Sequence, residues 1–150
     1  FGKWDEMLGE PEPPATSAYL RGQWHYARGT AFLGKGQTNE AEQEFAKLKE
    51  LMADKSLDHP LFSPNTGRAI LSIAQEVLGG EIAAAKKDYD RAVAHLERAV
   101  RLEDALVYTE PAEFHYPPRH ALGADAVHVR QPGDLRARRI DRRDGGGGAI

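Results

Sequence analysis

The sequence predicts an all-α protein, and three observations support that reading. Apolar residues recur every three to four positions through residue 105, the period of an amphipathic helix. No stretch alternates apolar and polar residues for long between turn residues, as a half-buried strand does. Turn-forming clusters, "PEPP", "GKGQTN" and "SLDHPLFSPNTG", divide the chain into helix-sized pieces.

The elements follow in order. A short helix is expected near Trp4 to Leu8. The segment 16–35 then sets Tyr19, Trp24, Ala27, Ala31 and Phe32 at helical spacings. A second long helix over 38–55 is expected, capped by Thr38 or Asn39. Glu40, Glu42 and Glu44 lie near its positive end, and Phe45, Leu48, Leu51 and Met52 form its apolar side. Ser63 followed by Pro64 suits the start of a third helix over 64–86. Its Gly79 and Gly80 cost about 1 kcal/mol each relative to Ala, so they need a packing reason. Asp88 is expected to cap a fourth helix over 88–105, whose stripe is Tyr89, Val93, Leu96 and Val100 with Ala92 and Ala99 beside it. A fifth long helix is expected over 117–129.

Alanines and glycines in an apolar stripe let another backbone come close. The segments beginning "HYARG" and "EVLGG" align without a gap, placing Gly29 on Gly80, Phe32 on Ala83, Ala41 on Ala92 and Phe45 on Leu96. Two helical hairpins therefore share one plan. Gly2 precedes Gly36 by 34 residues, so "GKWDEML" reads as the loop and second helix of an earlier hairpin, and Phe1 as a cut point.

This pattern resembles the tetratricopeptide repeat family, as a fragment of a bacterial-type member. Gly29, Phe32, Ala41 and Phe45 match the family's small and aromatic positions, Gly80, Ala92 and Leu96 match three of them, and Leu122 and Gly123 match its "LG" pair. Two departures stand out. Ala41 to Ala92 spans 51 residues and Gly80 to Gly123 spans 43, against a family period of about 34, and the Pro that usually ends the second helix is missing. The resemblance implies antiparallel hairpins stacked as a right-handed α-solenoid over 1–129. Its parts are a partial repeat at 1–10, hairpins at 16–55 and 64–105, and an incomplete hairpin at 117–129. Residues 130–150 hold six Arg and three Asp with a glycine run. They read as a disordered tail or the product of a shifted reading frame.

Composition excludes several function classes. With 150 residues, 41% hydrophobic and 29% charged, the chain suits one globular domain. A net charge of −3 supplies no basic field for nucleic acid or anionic membrane. No run reaches the ~18 apolar residues of a membrane span. The absence of cysteine removes disulfides and thiolate chemistry but does not separate cytoplasm from periplasm; the cytoplasm is the favoured compartment.

Two clusters invite chemistry. Glu110, Glu113, His115 and His120 fall within eleven residues, and imidazole with carboxylate can hold a divalent ion. They sit in a proline-rich connection rather than at i, i+4 on one helix, so solvated loop residues are the expected reading and a metal-binding or catalytic module the alternative. "LGKG" and "LGGE" lack the Lys-Ser/Thr ending of a phosphate loop. His95 is expected on a helix surface. No enzyme activity and no cofactor are expected.

The resemblance implies instead a noncatalytic scaffold whose first helices line a concave face. Gln23, Tyr26, Thr30 and Leu33 would stand beside Ala74, Val77, Glu81 and Ala84, with His120 extending the row. The partner implied is a protein or peptide segment, with Tyr26 the principal anchor and its removal nearly neutral for stability.

Overall fold

Ser17 opens the first long helix, its hydroxyl accepting the Leu20 N–H at 3.2 Å and so satisfying one of the donors every helix start leaves over. A computed structural model describes residues 3–60, 64–107 and 118–129, which form six α-helices. These are α1 (Trp4–Gly9), α2 (Ala18–Gly34), α3 (Thr38–Leu51), α4 (Gly67–Ala85), α5 (Tyr89–Asp104) and α6 (Pro118–Val129). A 3₁₀ turn, Lys55–Asp58, lies between α3 and α4. The described residues include no β-strand, only an isolated bridge between Pro60 and Thr66. The described residues are all-α in class, as the periodicity predicts. None of the described helices is long and apolar enough to cross a membrane.

Helix boundaries differ from the sequence reading where distant residues decide them. α3 ends at Leu51, not near residue 55, because Arg68 of α4 reaches back to this end. Its guanidinium donates to the Met52 carbonyl and to the Asp54 carbonyl at 3.0 Å, and it pairs with Asp58 at 2.5 Å. Asp54 accepts the Ser56 N–H at 2.8 Å, which turns the chain into the 3₁₀ segment. α3 has Gln37 at its N-cap position with no side-chain cap bond, so neither Thr38 nor Asn39 fills that role. Thr66, rather than Ser63, caps α4 by accepting the Ala69 N–H at 3.1 Å. Asp88 caps α5 as expected, accepting the Arg91 N–H at 3.3 Å.

The turns after α2 and α4 repeat one another bond for bond. Gly36 donates to Leu33 at 2.9 Å and Gln37 to Phe32 at 2.8 Å; 51 residues later Lys87 donates to Ala84 and Asp88 to Ala83, both at 2.9 Å. This is the Schellman closure, which needs a left-handed residue. Gly36 takes φ +74° and Lys87 φ +61°. Such short turns make α2–α3 and α4–α5 antiparallel hairpins.

Glycine and alanine set the spacing of the helices. A Cβ on Gly29 would lie 2.7 Å from Leu78 Cδ2, and one on Gly22 would lie 2.5 Å from Leu71 Cδ1. α2 thus lies against α4 with both chains running the same way. Gly80 faces α5 instead, where a Cβ would meet Leu96 Cγ at 2.8 Å. Both aligned glycines are buried against a neighbouring helix. On α5 the buried residues are Ala92, Leu96 and Ala99, while Tyr89, Val93 and Val100 keep partial exposure; the alanines, not the valines, mark the contact side. α4 is the centre, packing against α2, α3, α5 and α6, while α1 packs on α2. One cluster gathers Ile70, Ile73, Val77, Leu96 and Ala121; the other gathers Leu48, Leu57, Leu71, Leu78 and Ile82.

The Arg68 clamp is acid-sensitive. Hydrogen bonding and charge from Arg68 hold the Asp58 carboxyl below its ordinary value. A lowered folded pKa means the contribution is complete above the unfolded value of about 3.9 and fades as pH falls through the folded one. Asp58→Asn should therefore lower stability by a constant amount at neutral and alkaline pH and flatten the acid limb of the stability–pH curve. An unchanged acid limb in urea titrations would show the clamp to be inert.

Candidate functional site

The expected binding row begins on α2, where Gln23, Tyr26, Thr30 and Leu33 recur at spacings of three and four on one side of the helix. Gln23 Nε2 donates to the Tyr19 hydroxyl at 3.2 Å, and Thr30 Oγ1 donates to the Tyr26 carbonyl at 3.1 Å. Tyr26 is partly buried and packs against both core clusters. Its removal should therefore cost stability, where the sequence reading expects almost no change. Leu33 packs against the second cluster.

The α4 half of the row is different. Val77 and Ala74 are both 0% exposed, because Tyr19 and Tyr26 of α2 and Leu122 of α6 pack against the cluster that holds them. Val77 offers nothing to a ligand and leaves the row. Glu81 and Ala84 keep partial exposure, and His120 on α6 is exposed. The surface that remains carries Gln23, Tyr26, Thr30, Leu33, Glu81 and His120, a mixture of apolar area and hydrogen-bonding groups. Glu110, Glu113 and His115 lie outside the described residues, as does the tail 130–150. Among the described residues no group of three or more His, Asp or Glu is placed to hold a metal ion.

A second pattern, on the hairpins' inner seams, escapes the sequence reading. His25 of α2 is 3% exposed and Glu44 of α3 is 4% exposed, with His25 Nδ1 2.5 Å from the Glu44 carboxylate. In the other hairpin Glu76 of α4 stands 2.7 Å from His95 Nδ1 of α5. Adding 51 to the first pair gives the second with acid and imidazole exchanged. Each pair has a cation nearby on the second helix: Lys47 Nζ lies 3.8 Å from Glu44, and Arg98 Nε lies 3.0 Å from Glu76. His95 is thus a half-buried seam residue and not a surface one. The signal was present in the aligned segments, where His25 stands over Glu76 and Glu44 over His95.

Two clefts open beside these seams. One, of about 260 Å³, lies among α3, α4 and α5 and is lined by Phe45, Lys49, Lys86, Arg91 and His95 among others. The other, of about 370 Å³, is bounded by Glu12, Arg21, His25, Lys47, Glu50 and Leu51. Neither lining contains a hydroxyl or thiol that an acid–imidazole pair could activate. The pairs instead satisfy buried polar atoms across each hairpin.

No family model, curated protein or solved structure matches the chain. Function therefore rests on the geometry just described.

Proposed function

We propose that this chain is a noncatalytic interaction scaffold, a run of stacked hairpins of the tetratricopeptide kind that binds an extended or helical peptide segment along the faces of its first helices. The observation that carries the reading is the parallel seating of α4 on α2, with Leu71 against Gly22 and Leu78 against Gly29. Side-by-side first helices of successive hairpins set the partly exposed residues of α2 next to Glu81 and Ala84 of α4, which a peptide needs in order to touch both. The repeated turns and the packing of α6 on α4 and α5 support a stack that continues in one direction, as a right-handed solenoid does. Tyr26 and Leu33 supply apolar contact, Gln23 and Thr30 supply hydrogen bonds, and His120 marks the far end. Tyr suits the anchor role because it joins a large contact area to a polar tip.

Selection from a displayed library of random peptides tests the proposal. Enriched peptides should lose at least tenfold in affinity to the Thr30→Arg and His120→Glu variants and keep it in Glu97→Lys, a change at an exposed position on α5. Peptides indifferent to the first two changes would move the site off this face.

A further inference from the structure

Beyond that row, a different side of α2 already holds a stretch of chain. Arg28 Nη1 donates to the Leu8 carbonyl at 2.9 Å, Trp24 Nε1 to the Glu10 carbonyl at 3.2 Å, and Arg21 Nε to the Glu12 carboxylate at 2.8 Å. Alternate residues 8, 10 and 12 thus meet side chains 28, 24 and 21 in reverse order. Leu8 belongs to the last turn of α1, and Glu10, its C-cap, takes extended backbone as the chain leaves that helix. The Arg28 guanidinium also lies 4.6 Å from the centre of the Trp24 ring, which stiffens the ladder.

The chemistry of the two partners is complementary. Arg and Trp side chains donate hydrogen bonds and accept none. The segment Glu10-Pro-Glu-Pro-Pro14 is nearly all acceptor: its three prolines have no N–H, and the Glu10 N–H is already used on the Met7 carbonyl. Lys47 and His25 border the cleft beside Glu12, adding to the electrostatic pull that, after the Arg21 bond, holds the Glu12 carboxyl low. Hairpin architecture does not require this ladder. The corresponding positions of α4 are Ser72, Gln75 and Gly79, none of them cationic.

We propose that Arg21, Trp24 and Arg28 form a second peptide-docking face, selective for an extended acidic segment interrupted by prolines, and that residues 8–12 occupy it in cis as a displaceable strap. Displacement is feasible because residues 9–12 are exposed and solvent-exposed ion pairs hold only weakly. A tethered strap competes at high effective concentration, so a partner of the same chemistry gains access when the strap is weakened.

The test adds a fluorescent peptide of the chain's own sequence, LGEPEPP, to the full chain and follows polarisation. Glu12→Lys, which sets like charge against Arg21, should bind the peptide about fivefold more tightly than the parent. Adding Arg21→Ala should abolish that binding, and Arg21→Glu on the parent chain, where it repels the chain's own Glu12, should bind the peptide LGEPKPP but not LGEPEPP. A melting temperature for each variant separates loss of fold from loss of binding. No gain on Glu12→Lys, binding that survives Arg21→Ala, or equal binding of a scrambled peptide would overturn the proposal and leave the strap a fixed part of the fold. None of these results depends on the first-helix row, whose variants carry changes at Thr30 and His120.

Discussion

Glu44→Ala should lower the stability of this chain by about 3 kcal/mol, and exchanging the pair, His25→Glu with Glu44→His, should recover at least half of the loss. A buried polar group deprived of its partner costs about 1–3 kcal/mol and a broken buried ion pair about 3–5 kcal/mol, so about 3 kcal/mol is where the two meet. The truncation strands more than one group. His25, at 3% exposure, loses the acceptor at its Nδ1, and the Arg28 Nε loses a carboxylate oxygen at 3.4 Å. Recovery by exchange follows from the second hairpin, which already seats the acid on its first helix and the imidazole on its second. Lys47 stands where Arg98 serves that arrangement, 51 residues earlier, so an acid moved to position 25 has a cation within reach. Urea denaturation of the two variants decides it. A Glu44→Ala loss below about 1 kcal/mol, smaller than any buried unsatisfied group warrants, would mean the seam is hydrated, and a double variant no better than the single would mean the two hairpins are not interchangeable in charge.

What was legible in the sequence was whatever a local or periodic signal carries. Asp88 is followed by a helix and caps it. Gly29 and Gly80 occupy one register, and each proves to be where a neighbouring helix comes close. The end of α3 was not legible, because Arg68, which fastens the chain just beyond it through the Met52 and Asp54 carbonyls, arrives from well downstream. Val77 was misplaced for a similar reason: its spacing puts it in line with Tyr26, but only the packing of α2 and α6 around α4 shows the position to be covered. The His–Glu seams are a different case. Side-chain size does not reveal them, but charge does: His25 aligns with Glu76 and Glu44 with His95, a reversed match at positions that share no residue identity.

Replacing both Gly22 and Gly29 by Leu should cost about 2–5 kcal/mol, whereas Gly123→Ala should add about 1 kcal/mol. The opposite signs come from one balance. Every helical glycine gives up about 1 kcal/mol of propensity relative to Ala, so filling it is favourable unless the new atoms have nowhere to go. At Gly123 nothing lies within 4 Å of the added Cβ, and propensity alone decides. At Gly22 and Gly29 the first added carbon already falls 2.5 and 2.7 Å from Leu71 and Leu78, and both leucines are 0% exposed. Their side chains have no solvent to turn into, so a leucine opposite them must push α2 and α4 apart, at about 1–3 kcal/mol for each overpacked site. Alanine at the same two positions tests the sign more finely. The closest atoms in its way are the terminal methyls of Leu71 and Leu78, so propensity gain and contact loss should nearly cancel. If the double leucine variant melts with the parent, the seven-residue spacing shared by the glycines and leucines is not what joins the two hairpins. The parallel seating of α2 and α4, on which the first-helix row depends, would then need another cause.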